Sequence, residues 1–306
     1  MNQSPILLSS DVGLQAVYMG ILKACEEISL HMRYHKSNKI TSANEFGDVQ
    51  LDMDVQTDSL IFQNLQDTGV VYAGLSEERP QMTYLNPEGE FIVTFDPLDG
   101  SSVIESNIAV GSIFAIWRRI KGKDDFEGRT GKEIVGAALS CYGSRTSILV
   151  FNEIHNRVDE LSLQLKGEDY YWLDQTQGVN IRPQGRYFAP GNTKSIQKNK
   201  GYMECITFWA RNGYTLRYSG GMAPDCYLLF AKGEGVFTSV SSEDVAPKLR
   251  VLYEILPIGF LVVKAGGMAS NGKMPLMDMP IEGFVHKCDI IIGSIEEVQR
   301  CDRFLN

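Results

Sequence analysis

The twelve residues from Phe91 to Ser102, FIVTFDPLDGSS, constrain this chain more than any other stretch. Phe91 to Phe95 reads as a β-strand that stops at a carboxylate, Asp96. Pro97 follows; it has no N–H and pushes the preceding residue towards extended geometry. Asp99 then enters the turn Asp99-Gly100-Ser101-Ser102. Two carboxylates at the end of a buried strand repel each other unless positive charge lies between them. Mg²⁺ suits that role, being a hard cation that takes carboxylate and carbonyl oxygens and keeps positions open for phosphate. Gly100, Ser101 and Ser102 offer backbone N–H groups and hydroxyls that can hold phosphate oxygens. An Asp-Gly pair alone is an ordinary turn signal; the whole string after an apolar run carries the reading.

The 306 residues, 43% of them hydrophobic, suffice for a large core in one or two domains. A formal net charge of −9 disfavours a non-specific nucleic-acid binder. It does not disfavour a phosphate substrate if metal ions supply the local positive charge. No apolar run approaches the roughly 20 residues that span a membrane. The start, MNQSPILLSSDVG, lacks the basic and apolar regions of a signal peptide. A cytoplasmic location is expected, or a plastid one for a chain whose transit segment has been removed. Six scattered cysteines without a CxxC favour free thiols. His31, His35, His155 and His286 have no metal-ligand spacing.

Leu14 to Met32 carries apolar residues at spacings of three and four, an amphipathic helix capped near Ser10 or Asp11. The acids Asp48, Asp52, Asp54 and Asp58 follow a polar stretch; Asp54 is expected to end an extended segment and Asp58 to begin a helix. Asp52 and Asp58 read as a solvated acidic face. Val70 to Leu75 is a strand that ends in Ser76-Glu77-Glu78. Ligands gather beyond strand ends in α/β sheets, so two strands ending in acids point at one site. Gln81 to Glu90 reads as a loop, and Arg118 to Lys132 as a solvated hairpin or loop. A boundary near Pro183 to Asn192 divides the chain into residues 1–185, with most candidate metal ligands, and 186–306, with sugar-phosphate-binding residues. Tyr214 to Tyr218 is a strand entering Ser219-Gly220-Gly221-Met222, and Pro224 to Lys232 a helix. Lys248 to Tyr253 reads as a strand ending at Glu254, a third strand-to-helix junction and a place for another metal carboxylate. Pro257 then opens an apolar helix closed by Gly266-Gly267. Arg217 and Lys248 are equally partners for a second phosphate or plain surface cations.

The pattern G-D-x-Q…D, S-E-E, F-D-P-L-D-G-S-S and K-L-R-x-L-Y-E…K-A-G-G, from about Phe46 to the C-terminus, resembles the sugar bisphosphatases. The wider group is similar to the lithium-sensitive, Mg²⁺-dependent phosphatases. YFAPGN (Tyr187 to Asn192) and TLRYSGGMAPD (Thr215 to Asp225) look closer to the sedoheptulose-1,7-bisphosphatase branch than to the fructose-1,6-bisphosphatase branch. The resemblance implies an α/β fold, a layered αβαβα sandwich of two subdomains. It implies that Glu77, Asp96, Asp99 and Glu254 bind Mg²⁺, or Mn²⁺ as a substitute, with the Leu98 carbonyl, and that Asp48 reaches a further metal. By the same likeness Glu78 and Asp54 activate the attacking water. Gly100, Ser101 and Ser102 hold the 1-phosphate, Asn192, Arg217, Tyr218 and Lys248 lie near the distal phosphate, and Gly221 and Met222 lie along the sugar.

The implied activity is Mg²⁺-dependent hydrolysis of the 1-phosphate of sedoheptulose 1,7-bisphosphate by an activated water. The alternatives are a fructose-1,6-bisphosphatase or dual enzyme and, more distantly, a non-catalytic sugar-phosphate sensor. The implied partners are a small sugar bisphosphate and further copies of the chain, as a homodimer or homotetramer. Three departures from the family pattern bear on specificity and regulation. Ser239 in Gly235-Val236-Phe237-Thr238-Ser239 stands where fructose-bisphosphatases carry a distal-phosphate tyrosine. The adenylate-site pattern is absent, with Glu90-Phe91 in place of its Lys-Tyr pair. Ser37 and Ser42 stand where plastid sedoheptulose-bisphosphatases have redox cysteines.

Overall fold

A computed structural model of the chain describes residues 6–34, 39–43, 49–167 and 169–306. Among the positions named above, His35, Ser37, Phe46 and Asp48 lie outside the described residues. The elements run α1 (Val12–Tyr34), β1 (Lys39–Ala43), β2 (Val49–Leu51), α2 (Asp52–Asp67), β3 (Val71–Ser76), β4 (Arg79–Tyr84) and β5 (Phe91–Asp99). They continue with β6 (Gly111–Arg118), β7 (Ile134–Tyr142), β8 (Thr146–Asn152), β9 (Arg157–Lys166) and β10 (Asp169–Thr176). The remainder is β11 (Tyr187–Gly191), α3 (Lys200–Arg211), β12 (Thr215–Leu216), α4 (Met222–Lys232), β13 (Val236–Ser239), α5 (Leu256–Lys264), β14 (Met268–Ser270), β15 (Ile290–Gly293) and α6 (Ile295–Leu305).

β1 and β2 pair antiparallel in a two-stranded sheet, and two larger sheets organise the other strands. The larger has eight strands in the order β10-β9-β8-β7-β6-β5-β3-β4; the smaller has five, β12-β11-β13-β15-β14. Strand alternation distributes the large sheet's side chains to two faces. Phe91, Val93 and Phe95 pack with Val17, Ile21, Ile61 and Leu65 of α1 and α2. Ile92, Ile113, Ala115 and Leu139 face the opposite way, into a core shared with Leu229 and Phe230 of α4 and Leu261 of α5. Ala189, Phe237, Ile290 and Ile292 bring the inner face of the small sheet into that same core. Its outer face, with Phe188, Val236 and Ile291, is covered by Tyr202, Cys205 and Trp209 of α3 and Val298 and Cys301 of α6. The layers are therefore helix, sheet, helix, sheet, helix, the expected αβαβα sandwich. Among the described residues no helix is long and apolar enough to cross a membrane.

All nine residues of β5 are buried, including both of its aspartates. Phe91 and Phe95, wholly removed from water, each contribute about 2 to 3 kcal/mol of burial free energy. That anchorage lets the strand carry two carboxylates at its end. Asp11 caps α1, its Oδ1 accepting the Leu14 N–H at 3.0 Å.

Three local expectations are corrected. α2 begins at Asp52, so Asp54 lies in its first turn and Asp58 a turn further on, buried rather than solvated. The segment after Glu78 is not all loop, because β4 pairs antiparallel with β3. Finally, Val251–Ile255 is a π-helical turn running into α5, not a strand. An apolar run punctuated by charges satisfies either backbone, and the packing of Val251, Leu252 and Tyr253 against the sheet decides it.

Candidate active site

The site forms where β3 and β5 end side by side. The two strands are parallel, with Ser76 opposite Phe95, and the Glu77 N–H donates to the Phe95 carbonyl at 2.9 Å. Glu77 thereby arrives next to Asp96. Beyond that point β5 slips out of register with β6 between Asp96 and Asp99. Such an irregularity re-aims side chains at a sheet's end. Pro97 has no N–H to offer the ladder, and Asp96 Oδ1 accepts the Leu98 N–H at 3.0 Å, closing a tight turn. Ser112 Oγ donates to the Pro97 carbonyl at 2.7 Å and tethers the turn to β6.

Two other parts of the chain complete the cluster. The first turn of α4 approaches Asp99, whose Oδ2 accepts the Ala223 N–H at 2.6 Å. The π-helical turn delivers Glu254, whose Oε2 accepts the Arg250 N–H at 2.5 Å. Single π-helical turns are frequent at functional sites. Carboxylate oxygens of Asp96, Asp99 and Glu254 all lie within 4.8 Å of one another, in a buried setting. Burial, with Asp225 nearby, pushes Asp99 up to about 7 despite its N–H partners. Burial and the charge of Asp99 push Glu254 up to about 8. Asp96 is driven well above the usual carboxylate range by burial, then by Glu77, Asp99, Glu254 and Glu78. Clustered hard oxygen donors that oppose each other's ionisation fit a hard divalent cation such as Mg²⁺. Glu77 already has a cation beside it, an ion pair with the guanidinium of Arg250.

Gly100 adopts φ 86°, a left-handed conformation. A Cβ on it would lie 3.2 Å from Gly221 Cα, so the two glycine backbones pass in close contact. Ser101 and Ser102 begin the 3₁₀ turn Ser101–Ser106 that Gly100 leads into. The expected phosphate turn and the expected sugar segment, Gly221 and Met222, are thus neighbours. Tyr218 is half exposed; partial desolvation, then the charges of Asp225 and Asp99, raise its phenol. Glu78 lies partly exposed in the turn between β3 and β4, and Asp54 is buried on α2.

The other expected distal residues are less gathered. Asn192 is buried and left-handed, its Nδ2 donating to the Val240 carbonyl at 3.0 Å. Arg217 is exposed; its Nη1 donates to the Leu216 carbonyl at 2.9 Å and its guanidinium lies 6.0 Å from the Tyr187 ring centroid. Lys248 is exposed as well. Ser239 is buried at the end of β13, opposite Gly191.

Three residues escaped the sequence reading. Arg250, 6% exposed, was hidden because a cation in a presumed strand gives no hint of facing Glu77. Asp225 accepts N–H groups from Ser219 at 2.7 Å and Gly220 at 3.3 Å, holding the Ser-Gly-Gly turn. Its signal was available: an acid in the first turn of a helix that follows a glycine pair. Asp58 reads from the sequence as a solvated acid, and only the fold shows it buried beside Arg79.

Known proteins share this architecture. The chain matches the N-terminal domain of fructose-1-6-bisphosphatase over residues 4–172 and the C-terminal domain over residues 181–306. It is 34% identical over 299 residues to the chloroplastic sedoheptulose-1,7-bisphosphatase of Spinacia oleracea, covering 97% of this chain and 75% of that one. With the class 1 fructose-1,6-bisphosphatase of Pelobacter propionicus it shares 35% identity over 268 residues, 87% of this chain and 80% of the other. The solved structure of Leishmania major fructose-1,6-bisphosphatase in holo form superimposes with a TM-score of 0.89 at 25% identity, covering 99% of both chains.

Proposed function

This chain belongs to the fructose-1,6-bisphosphatase family of phosphatases, and within it we propose that the chain is a Mg²⁺-dependent enzyme that hydrolyses the 1-phosphate of sedoheptulose 1,7-bisphosphate to give sedoheptulose 7-phosphate. The observation that carries hydrolysis is the buried cluster of Asp96, Asp99 and Glu254, within 4.8 Å, beside the Gly100–Gly221 contact. Members of this family are generally metal-dependent.

In this reading Asp96, Asp99, Glu254, Glu77 and the Leu98 carbonyl hold the cation, with Asp48 serving a further one. Bound there, Mg²⁺ supplies charge that polarises the phosphoryl group and favours ionisation of the attacking water. Gly100, Ser101 and Ser102 seat the 1-phosphate through N–H groups and hydroxyls. Glu78, with Asp54 as its partner, takes the proton from the water. Gly221 and Met222 flank the sugar, while Tyr218, Arg217, Lys248 and Asn192 receive the far phosphate. Burial raises the Cys226 thiol well above its ordinary range and holds it protonated.

Substrate length is set at the far end, because the near end grips the same 1-phosphate in either sugar. A seven-carbon bisphosphate is one carbon longer, and Ser239 is shorter than the tyrosine that the fructose pattern carries there. Losing a tyrosine hydroxyl contact weakens the shorter substrate by roughly 1 kcal/mol, or several-fold. Sedoheptulose bisphosphate therefore leads and fructose 1,6-bisphosphate is poorer but not excluded. A second reading, fructose-1,6-bisphosphatase, draws support from the similar identity to a class 1 relative, 35% over 268 residues. Phosphate release from both sugars, with saturating Mg²⁺ and with a chelator, tests both. A higher kcat/KM for fructose bisphosphate would replace the first reading with the second; no release from either would remove both.

A further inference from the structure

Thr94 is the one hydroxyl in the apolar run of β5 that precedes Asp96, and it is fully buried. Strand alternation turns it to the side of Ile92, towards the core that also holds Leu252. A buried hydroxyl is costly unless its hydrogen-bonding capacity is used. Here it is used twice. Thr94 Oγ1 accepts the Trp117 Nε1–H at 3.1 Å and donates to the Leu252 carbonyl at 3.1 Å. The second bond joins β5, two residues before Asp96, to the π-helical turn, two residues before Glu254.

That carbonyl has a particular need. In a π turn each N–H donates to the carbonyl five residues earlier. The Ile255 N–H meets the Arg250 carbonyl at 3.1 Å, and the Leu256 N–H meets the Val251 carbonyl. The next bond would run from position 257 to the Leu252 carbonyl, but Pro257 has no N–H. The Leu256 N–H, the α-helical donor for Leu252, is already spent on Val251. A buried carbonyl needs a partner, and the Thr94 hydroxyl supplies it. We propose that Thr94 is a positioning residue: by holding the Leu252 carbonyl, it fixes the π turn against β5 at the spacing that lets Glu254, Asp96 and Asp99 share one cation. This rests on Glu254 being a ligand of that cation. The same turn carries Arg250, the ion-pair partner of Glu77. Ile92 and Val93 show that the strand otherwise uses β-branched apolar residues, so a valine would serve a purely structural position here without burying a hydroxyl.

The experiment reads Mg²⁺ binding to the full chain by titration calorimetry, with inorganic phosphate present. Metal affinity is the deciding readout, because a contact that serves the fold alone leaves it unchanged. Thr94→Val keeps the shape of the side chain, removes the hydroxyl and weakens Mg²⁺ binding by about tenfold, the lower end of what residues supporting metal ligands contribute. Thr94→Ser keeps the hydroxyl and binds Mg²⁺ with close to native affinity. Native affinity in Thr94→Val, or a Thr94→Ser as weak as Thr94→Val, overturns the proposal. Glu254→Gln separates the premises. If it loses Mg²⁺ while Thr94→Val is native, only the role of Thr94 fails; if it binds Mg²⁺ as the native chain does, the ligand assignment fails and this inference with it. Should Thr94→Val not fold, Thr94→Ala, which adds no apolar bulk, carries the test: weakened Mg²⁺ binding supports the tether, and native binding removes it.

Discussion

The two ends of the site are built in opposite ways. At the catalytic end, four segments far apart in sequence converge, and the carboxylates of Asp96, Asp99 and Glu254 are nearly closed to water. Backbone N–H groups of Leu98, Ala223 and Arg250 pin one carboxylate each. At the distal end, Arg217 and Lys248 stand exposed on their stems, and only Asn192 and Ser239 are enclosed. Chemistry that needs charge held at fixed separation is assigned to rigid backbone in a low-dielectric setting. Under the proposed function, the far phosphate is met by exposed stems such as Arg217 and Lys248, while Ser239 sets length from a buried position at the end of β13. Changes at the first end should thus act on kcat by orders of magnitude, and changes at the second on KM and preference by small factors.

The largest effect is expected for Asp99→Asn. It removes a charge from the cluster but keeps a side chain of the same shape, so turnover should fall by about a thousandfold or more with the fold intact by circular dichroism. Activity near native in Mg²⁺ would break the comparison at its stronger end.

Metal removal and pH probe the same end without mutation. The folded carboxyls of Asp99, about 7, and Glu254, about 8, lie above their ordinary values of 3.8 and 4.5. Raised values mean that their contribution to stability is complete below those ordinary values and is lost as pH rises through 7 and 8. The melting temperature of chelated protein should fall by on the order of 5 °C between about pH 6 and about pH 8.5, and Mg²⁺ should suppress the fall. A melting temperature that stays level, or rises, across that window would show that the cluster is not strained by its own charge.

At the distal end, Lys248→Ala should raise KM by about tenfold with kcat nearly unchanged, as expected for loss of one charge-assisted phosphate contact. An equal fall in kcat would mean that the two ends are coupled. The smallest effect belongs to Ser239→Tyr. It should shift the kcat/KM ratio by a few-fold, roughly 1 kcal/mol, towards fructose 1,6-bisphosphate. No shift would assign substrate length to another residue.

Much of the first end was legible because its signals are local. Asp96, Pro97, Asp99 and Gly100 follow one another directly, and a strand, a residue without an N–H and a left-handed glycine are all properties of neighbouring residues. Glu77 and Glu78 were found through the same rule applied to a second strand. Asp58 and Arg250 were not, since an isolated charge reads by default as solvated, and only its partner across the fold shows otherwise.

Sequence by itself determined the strand that bears the aspartates, the turn that follows it, the amphipathic α1 and the Pro-led α5, because each depends on periodicity or backbone chemistry within a few residues. Tertiary structure alone decided that β3 and β5 run parallel and end together, that Val251–Ile255 closes as a π turn aiming Glu254 inward, and that Gly221 meets Gly100. It also decided that Arg250 neutralises Glu77 and that Asp58 takes Arg79. Electrostatic partners are chosen by distance through space, which the packing of distant segments sets and which no local pattern of residues encodes.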